Sequence, residues 1–140
     1  GLSGIDKDSA IKSGLSKGGE VIKRGGMERL KNRMRAGPGG KTCNLLRSFT
    51  VRVKRNKPGV LAGFKKGKKG GNHSHLVDLG TVERMRKHKS RKRGGKGGRT
   101  GAATPNYFWN DTNDLDKEKA MVEIRTGIAE FVEKVKAKCV

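Results

Sequence analysis

The chain has 140 residues, of which 31% are hydrophobic and 34% are charged, so it has the length of one domain with a thin apolar core. Its net charge of +21 indicates a polyanionic partner: nucleic acid, an acidic protein or an anionic membrane. No apolar run approaches the roughly 20 residues that span a bilayer, and the basic segments lack the Trp, Phe and Leu of an interfacial helix. We therefore expect neither a signal peptide nor a membrane partner.

The positive charge is concentrated in the middle of the chain. Residues 61–100 hold thirteen Lys or Arg against two acids, and residues 41–60 hold six against none. Residues 1–40 hold nine against four, whereas residues 101–140 hold six against seven. The last quarter therefore has the charge balance of an ordinary amphipathic helix, and the middle is the expected contact surface for a polyanion.

The first third of the chain has apolar residues spaced like one face of a helix. They are Ile11, Leu15, Ile22, Leu30 and Met34. Asp8 or Ser9 is expected to cap this helix, and the Gly-Pro-Gly-Gly segment 37–40 to end it. Interior glycines each cost up to about 1 kcal/mol relative to Ala, so we expect the helix to be weak or interrupted. These glycines are Gly14, Gly18, Gly19, Gly25 and Gly26.

A β-hairpin is predicted in the next segment. Apolar and polar residues alternate from Phe49 to Lys54, as in a half-buried strand, and the alternation resumes from Val60 to Phe64. Residues 55–58 between them have the composition of a turn. The segment 65–72, KKGKKGGN, is expected to be a flexible basic loop that contributes nothing to the core.

Two shorter apolar segments follow. Leu76, Val77 and Leu79 predict a short buried element, either a strand or a single helical turn. Residues 84–100 are rich in Gly and basic residues and are expected to be extended or disordered until an anion binds. Pro105 to Trp109 then forms an apolar anchor.

The clearest element is a long C-terminal amphipathic helix. Its predicted apolar face consists of Met121, Ile124, Ile128, Phe131, Val135 and Cys139. Asn113 or Asp114 is the expected N-cap. Together these elements predict a single α+β domain over residues 1–140, with a small antiparallel sheet, an N-terminal and a long C-terminal helix, and basic Gly-rich loops at 65–72 and 84–100.

Metal binding and catalysis find little support in the sequence. His73 and His75 would share a face of an extended segment, but only Asp78 is close enough in sequence to be a third ligand. Cys43 and Cys139 lie 96 positions apart, which favours two free thiols in a reducing setting. The chain has no GxSxG motif, and its Gly-rich segment lacks the GK[ST] of a phosphate loop. We expect no enzyme, no cofactor and no metal.

The strongest physical signal is the basic segment from Arg84 to Arg99, which has nine cations and no acid. Like charges at this density repel one another unless a polyanion neutralises them. The residues between the cations are mostly Gly, Ser and Met rather than aromatics, so phosphate-backbone contact without sequence reading is favoured. The predicted contact residues for DNA or a partner protein are Lys65, Lys66, Lys68, Lys69, Arg84, Arg86, Lys87, Lys89, Arg91, Lys92, Arg93, Lys96 and Arg99.

Four patterns, in order, resemble the neck and tail-completion (head–tail joining) proteins of long-tailed bacteriophages. Gly40-Lys-Thr-Cys-Asn-Leu-Leu-Arg-Ser-Phe49 is similar to a "TGNLRRSI"-like strand start, and Gly63-Phe64 to the end of the return strand. His73-Ser-His-Leu-Val-Asp-Leu-Gly-Thr81 is similar to a "HAHLVEFGT"-like motif. Pro105-Asn-Tyr-Phe108 resembles a "P-x-x-F" segment that leads into a C-terminal helix. The resemblance covers roughly residues 9–138, with Asp78 in place of the commoner Glu and with unusually basic segments between the motifs.

The resemblance implies a non-enzymatic component of the virion, assembled in the cytoplasm of a bacterial host. Six or twelve copies would form a ring at the head–tail junction or the top of the tail, between head-completion and tail-terminator or tail-tube proteins. The cationic loops would face packaged DNA or an adjacent ring. The residues expected to support the core or the contact between subunits are Leu76, Val77, Leu79, Phe108 and Trp109.

Two other functions account for the charge but not for the ordered motifs. One is a basic RNA-binding component of a ribonucleoprotein, such as a ribosomal protein. The other is a nucleoid-type DNA-binding protein. A ring protein should be oligomeric without nucleic acid, whereas a ribosomal protein should be monomeric.

Overall fold

The computed structural model describes residues 3–34, 44–85 and 99–139. Two long helices and a β-hairpin form the framework, with shorter elements at one end. The helices are α1 (Gly4–Arg33), α2 (Asn44–Arg47), α3 (Ser74–Leu79), α4 (Phe108–Leu115) and α5 (Lys117–Lys138). The strands are β1 (Phe49–Val53), β2 (Val60–Phe64), β3 (Arg84–Met85) and β4 (Arg99–Gly101). The predicted α+β class, with antiparallel pairing and a long helix at each end, is confirmed.

Helix α1 is continuous over 30 residues, so it is not interrupted at its glycines, whereas its intrinsic weakness stays a prediction. Its cap is also different from the predicted Asp8 or Ser9: the helix starts earlier, and the Ser3 hydroxyl accepts the Asp6 backbone N–H at 3.2 Å. The helix ends at Arg33, before the predicted terminator at 37–40, which lies outside the described residues.

Glycine is required in α1 because other elements approach its backbone closely. A Cβ on Gly14 would lie 2.5 Å from the Ile124 carbonyl oxygen of α5, and one on Gly19 would lie 2.5 Å from Val51 of β1. On the opposite helix, a Cβ on Gly127 would lie 2.9 Å from the Gly14 Cα atom. The glycines that weaken the isolated helix therefore allow α5 and the hairpin to pack directly against it.

The predicted hairpin is confirmed, with Phe49 opposite Phe64 and Val53 opposite Val60. Val51 and Val60 face α1, as their proximity to Gly19 shows, so the intervening positions point away from the helix. At the base of the hairpin the Phe49 and Phe64 rings lie 4.6 Å apart. Both also pack against Phe108, the most deeply buried aromatic side chain.

The short apolar element at 76–79 is a helix, and it is only partly buried. Val77 packs against the core, whereas the Leu79 side chain is 62% exposed, so the prediction that Leu79 is buried is wrong. A helix of six residues presents all its sides within two turns, and only one side of α3 meets the core.

The C-terminal segment is two helices, with the break at Asp116. The predicted caps, Asn113 and Asp114, lie inside α4, because that helix starts at Phe108. Ile124, Ile128, Phe131 and Val135 are half-buried as predicted, but the predicted face is wrong at its ends, since Met121 and Cys139 are exposed. The buried residues of α5 are Ala120 and Gly127 instead, which the apolar pattern does not mark.

Candidate nucleic-acid interface

The segment His73–Thr81 lies between the two predicted basic regions, residues 65–72 and 84–100, and forms hydrogen bonds with the start of α4. Its Asp78 side chain is buried, and Oδ1 accepts the backbone N–H groups of Trp109 at 2.8 Å and Asn110 at 3.1 Å. Tyr107, which precedes α4 with a left-handed φ of 55°, provides no side-chain cap of its own. Asp78 therefore caps α4 from a distant part of the chain.

The two residues after α3 start a two-stranded arm. Gly80 has a φ of 74°, which suits glycine, and Thr81 then pairs with Ala103 through a 3.0 Å backbone hydrogen bond and a 2.9 Å bond to the Thr81 hydroxyl. Strand β3 pairs antiparallel with β4 further along, with an irregularity in the register. We call residues 81–103 the basic arm.

The part of the basic arm between its strands, residues 86–98, lies outside the described residues. Seven of the predicted contact residues fall there and are not placed by the structure. They are Arg86, Lys87, Lys89, Arg91, Lys92, Arg93 and Lys96. Arg84 and Arg99 lie on the paired strands at the base of the arm.

The second predicted basic region, residues 65–72, follows a defined course that we call the lysine loop. The Lys65 backbone N–H donates to the Ser48 carbonyl at 2.7 Å, and the Asn72 amide bonds Gly67 through both its oxygen and its nitrogen. The predicted contact residues of this loop, Lys65, Lys66, Lys68 and Lys69, are all exposed. Its last glycine, Gly71, is buried beside Leu45 and Phe64, but no residue of the loop belongs to the hydrophobic core.

The lysine loop and Thr81, the first residue of the basic arm, are connected by α3 and one residue on each side of it. The six helical residues extend about 9 Å. Of the residues predicted to support the core or a subunit contact, Phe108 is fully buried and Trp109 and Val77 pack against the core. Leu76 lines an open cleft of about 820 Å³ beneath α3.

Three of the seven acidic side chains in the last quarter form ion pairs with basic residues of α1. Arg29 pairs with Asp116, Arg33 with Asp111 at 2.6 Å, and Lys17 with Glu130. The hydrogen bond from Arg29 holds the pKa of Asp116 below its ordinary value, and the hydrogen bond from Lys17 does the same for the pKa of Glu130.

A further basic cluster was missed in the sequence analysis. Arg52, Lys54, Arg55 and Lys57 are exposed around the turn of the β1–β2 hairpin, and none forms an ion pair with another described residue. The available signal was the absence of any acid from residues 41–60.

His73 and His75 do not form a shared site, because residues two apart on a helical turn point in different directions. Among the residues that the structure describes, no three His, Cys, Asp or Glu side chains are placed to hold a metal ion.

Cys139 is an exposed free thiol, and Cys43 lies outside the described residues. None of the described helices has the length and apolarity needed to cross a bilayer.

No family model, no curated protein and no solved structure matches this chain.

Proposed function

We propose that this protein is a structural component of a bacteriophage virion, which forms a ring at the head–tail junction or at the top of the tail. Its basic loops would border the DNA channel, and neighbouring head-completion, tail-terminator or tail-tube proteins would contact the two faces of the ring.

The observation that carries the proposal is the convergence of the four motifs on one core. Phe49, Phe64 and Phe108 come from three different motifs, and their ring centroids lie between 4.6 and 6.2 Å apart. The fourth motif adds Val77 to the same core and Asp78 to the cap of α4. Residues that resemble one family's pattern at four separate places thus form one structural unit in this chain.

A second argument comes from apolar side chains beside the basic arm. Leu79 and Val82 lie on either side of Gly80 and Thr81 in sequence and are 62% and 80% exposed. Exposed apolar residues at a single position need no explanation, but two at the base of a charged arm offer a contact for a neighbouring copy. Repetition of such a contact around a closed ring buries the apolar surface of every copy.

The test is the mass of the full chain, purified free of nucleic acid, by light scattering over a range of protein concentrations at moderate and high salt. We expect a discrete species of six or twelve copies, visible as rings by negative-stain electron microscopy. High salt should preserve it, because burial of apolar surface is not screened by ions.

A chain that stays monomeric at every concentration and assembles only when RNA is added would contradict the proposal and favour the ribonucleoprotein function. Discrete assembly in the presence of nuclease would argue against that alternative.

A further inference from the structure

The turn of the β1–β2 hairpin carries four cations on a concave surface. Arg52, Lys54, Arg55 and Lys57 line a depression of about 430 Å³, together with Asn56 and Leu61. Arg52 lies on the side of the hairpin that points away from α1, because its neighbours Val51 and Val53 alternate with it. The depression is therefore open to a ligand on the outer side of the sheet.

The fold adds a fifth cation from a distant part of the chain. Lys12 of α1 lines a small crevice with residues 54–58 of the hairpin turn. Asp8 is the one acid among the described residues of this crevice, so the cluster keeps a strong positive charge. Lys12 and the four hairpin cations make no ion pair with another described residue.

The contrast with the other side of α1 is informative. There the fold pairs Lys17, Arg29 and Arg33 with acids of α4 and α5. The hairpin cations form no ion pair with another described residue, although Asp8 lies in the crevice beside them, and an external anion would offset the repulsion among them.

We propose that this concave hairpin turn binds phosphate groups of the DNA backbone, as a contact separate from the lysine loop and the basic arm. Arg side chains bind phosphate through two N–H groups at once, and lysines add charge along the backbone. None of the described residues that line the depression is aromatic, so a contact with duplex phosphates fits better than base stacking on a single strand.

The hairpin turn and the lysine loop lie at opposite ends of the same strands. Phe49 and Phe64 pair at the end that leads into the lysine loop, and Val53 and Val60 pair at the turn, four residues along each strand. The two cationic sites are therefore separated by about 13 Å of strand, and each can contact a different phosphate. The choice of duplex DNA as the ligand rests on the proposed function, whereas the cationic site rests on the geometry alone.

The experiment measures binding of the full chain to a short fluorescein-labelled DNA duplex by fluorescence anisotropy. The test variant combines Arg52→Ala, Lys54→Ala, Arg55→Ala and Lys57→Ala. The control variant removes the same charge from exposed positions of α5, by Lys117→Ala, Arg125→Ala, Lys134→Ala and Lys138→Ala. Native helix content and thermal unfolding are first measured for both variants. We expect both variants to fold, because none of the replaced side chains is buried.

We expect the hairpin variant to bind at least about tenfold more weakly than the control at low salt. The negative slope of log K against log salt concentration should become shallower by about 0.9 for each phosphate contact that is lost. Inorganic phosphate as a competitor should displace the duplex only weakly, since it lacks the adjacent phosphates that the separate sites need.

Equal affinity of the hairpin and control variants for the duplex would overturn the proposal. It would also be overturned if the hairpin change weakened binding to polyglutamate but not to DNA, because the site would then recognise an acidic protein. Light scattering on the same samples separates the two proposals. Loss of DNA binding by a hairpin variant that still assembles would support the hairpin site, whereas absence of assembly in the unmodified chain would contradict the ring.

Discussion

Arg29 of α1 and Asp116, at the break between α4 and α5, form a forked ion pair. Arg29 Nη1 lies 2.6 Å from Oδ2 and Nη2 lies 3.1 Å from Oδ1, across 87 positions of sequence. The side chains are 20% and 6% exposed, so the pair is largely removed from solvent. Arg29 also donates to the Thr112 hydroxyl of α4 at 3.0 Å and thereby holds both C-terminal helices against α1.

Replacing Asp116 by Asn should lower the free energy of unfolding by about 3 kcal/mol. This is the lower end of the range for a broken buried pair, because Arg29 keeps some contact with water. Urea denaturation measures the change. Asp114→Asn is the control, since Asp114 is exposed and makes no ion pair with another described residue, and an equal loss there would contradict the role of the pair.

The same pair predicts a dependence of stability on pH. The hydrogen bond from Arg29 keeps the pKa of Asp116 below its ordinary value, so the folded state binds the proton less tightly than the unfolded state does. The stabilisation is fully present above the ordinary Asp pKa of about 3.9 and is lost as the pH falls through the depressed value. Urea midpoints measured at falling pH should therefore decline more steeply for the unmodified chain than for Asp116→Asn; parallel declines would contradict the prediction.

Gly14→Ala should destabilise the protein although it favours the isolated helix. The added methyl group would meet the Ile124 carbonyl at 2.5 Å and Ile128 at 2.6 Å, and backbone atoms cannot move aside cheaply. Such overpacking costs about 1–3 kcal/mol, against a gain in helix propensity of about 1 kcal/mol. Thermal unfolding measures the net loss. Gly4→Ala is the matched control, with no atom within 4 Å of the new methyl group, and a rise in melting temperature for Gly14→Ala would refute the close approach of α1 and α5.

Asp78→Ala should lower the free energy of unfolding by about 1 kcal/mol or more, because two N–H groups at the start of α4 lose their acceptor. Asp78→Asn should cost less, since its amide oxygen still accepts these hydrogen bonds. The hydrogen-exchange rates of the Trp109 and Asn110 backbone N–H groups measure the loss of these capping hydrogen bonds directly. If both variants leave that exchange unchanged, Asp78 is not the cap.

Leu79→Ser combined with Val82→Ser should weaken assembly without unfolding the chain. Both side chains are exposed, so the free energy of unfolding should change by no more than about 0.5 kcal/mol for each. The protein concentration at half-assembly should rise about tenfold or more if these residues lie in a subunit contact. Leu115→Ser, which changes an equally exposed leucine at the far end of α4, is the control; equal effects of the two changes would count against a contact at the arm base.

Local periodicity predicted the hairpin and the long helices of this fold, but not α2, α4 or the β3–β4 pair. The alternation from Phe49 to Lys54 and from Val60 to Phe64 predicts the hairpin that is observed, and the spacing from Ile124 to Val135 predicts the buried side of α5. Such patterns work because a strand or helix that buries one face must repeat its apolar residues at its own period. The clustering of basic residues is likewise visible in the sequence, because the net charge of a segment depends only on the residues within it.

Pairings between distant segments could not be predicted in this way. The glycines of α1 suggested a weak helix, and only the approach of α5 and the hairpin makes them the residues that allow contact. Leu79 was expected in the core from its neighbours, yet the orientation of α3 leaves it exposed.

The sequence by itself determined the α+β class, the hairpin, the two long helices and the excess of positive charge. The tertiary structure decided which charges are neutralised: Arg29 pairs with Asp116 across the helix packing, whereas Arg52 and its neighbours at the hairpin turn form no ion pair with another described residue. The physical reason is that apolar periodicity is a property of each segment alone, whereas an ion pair or a close backbone contact depends on which segments the fold brings together.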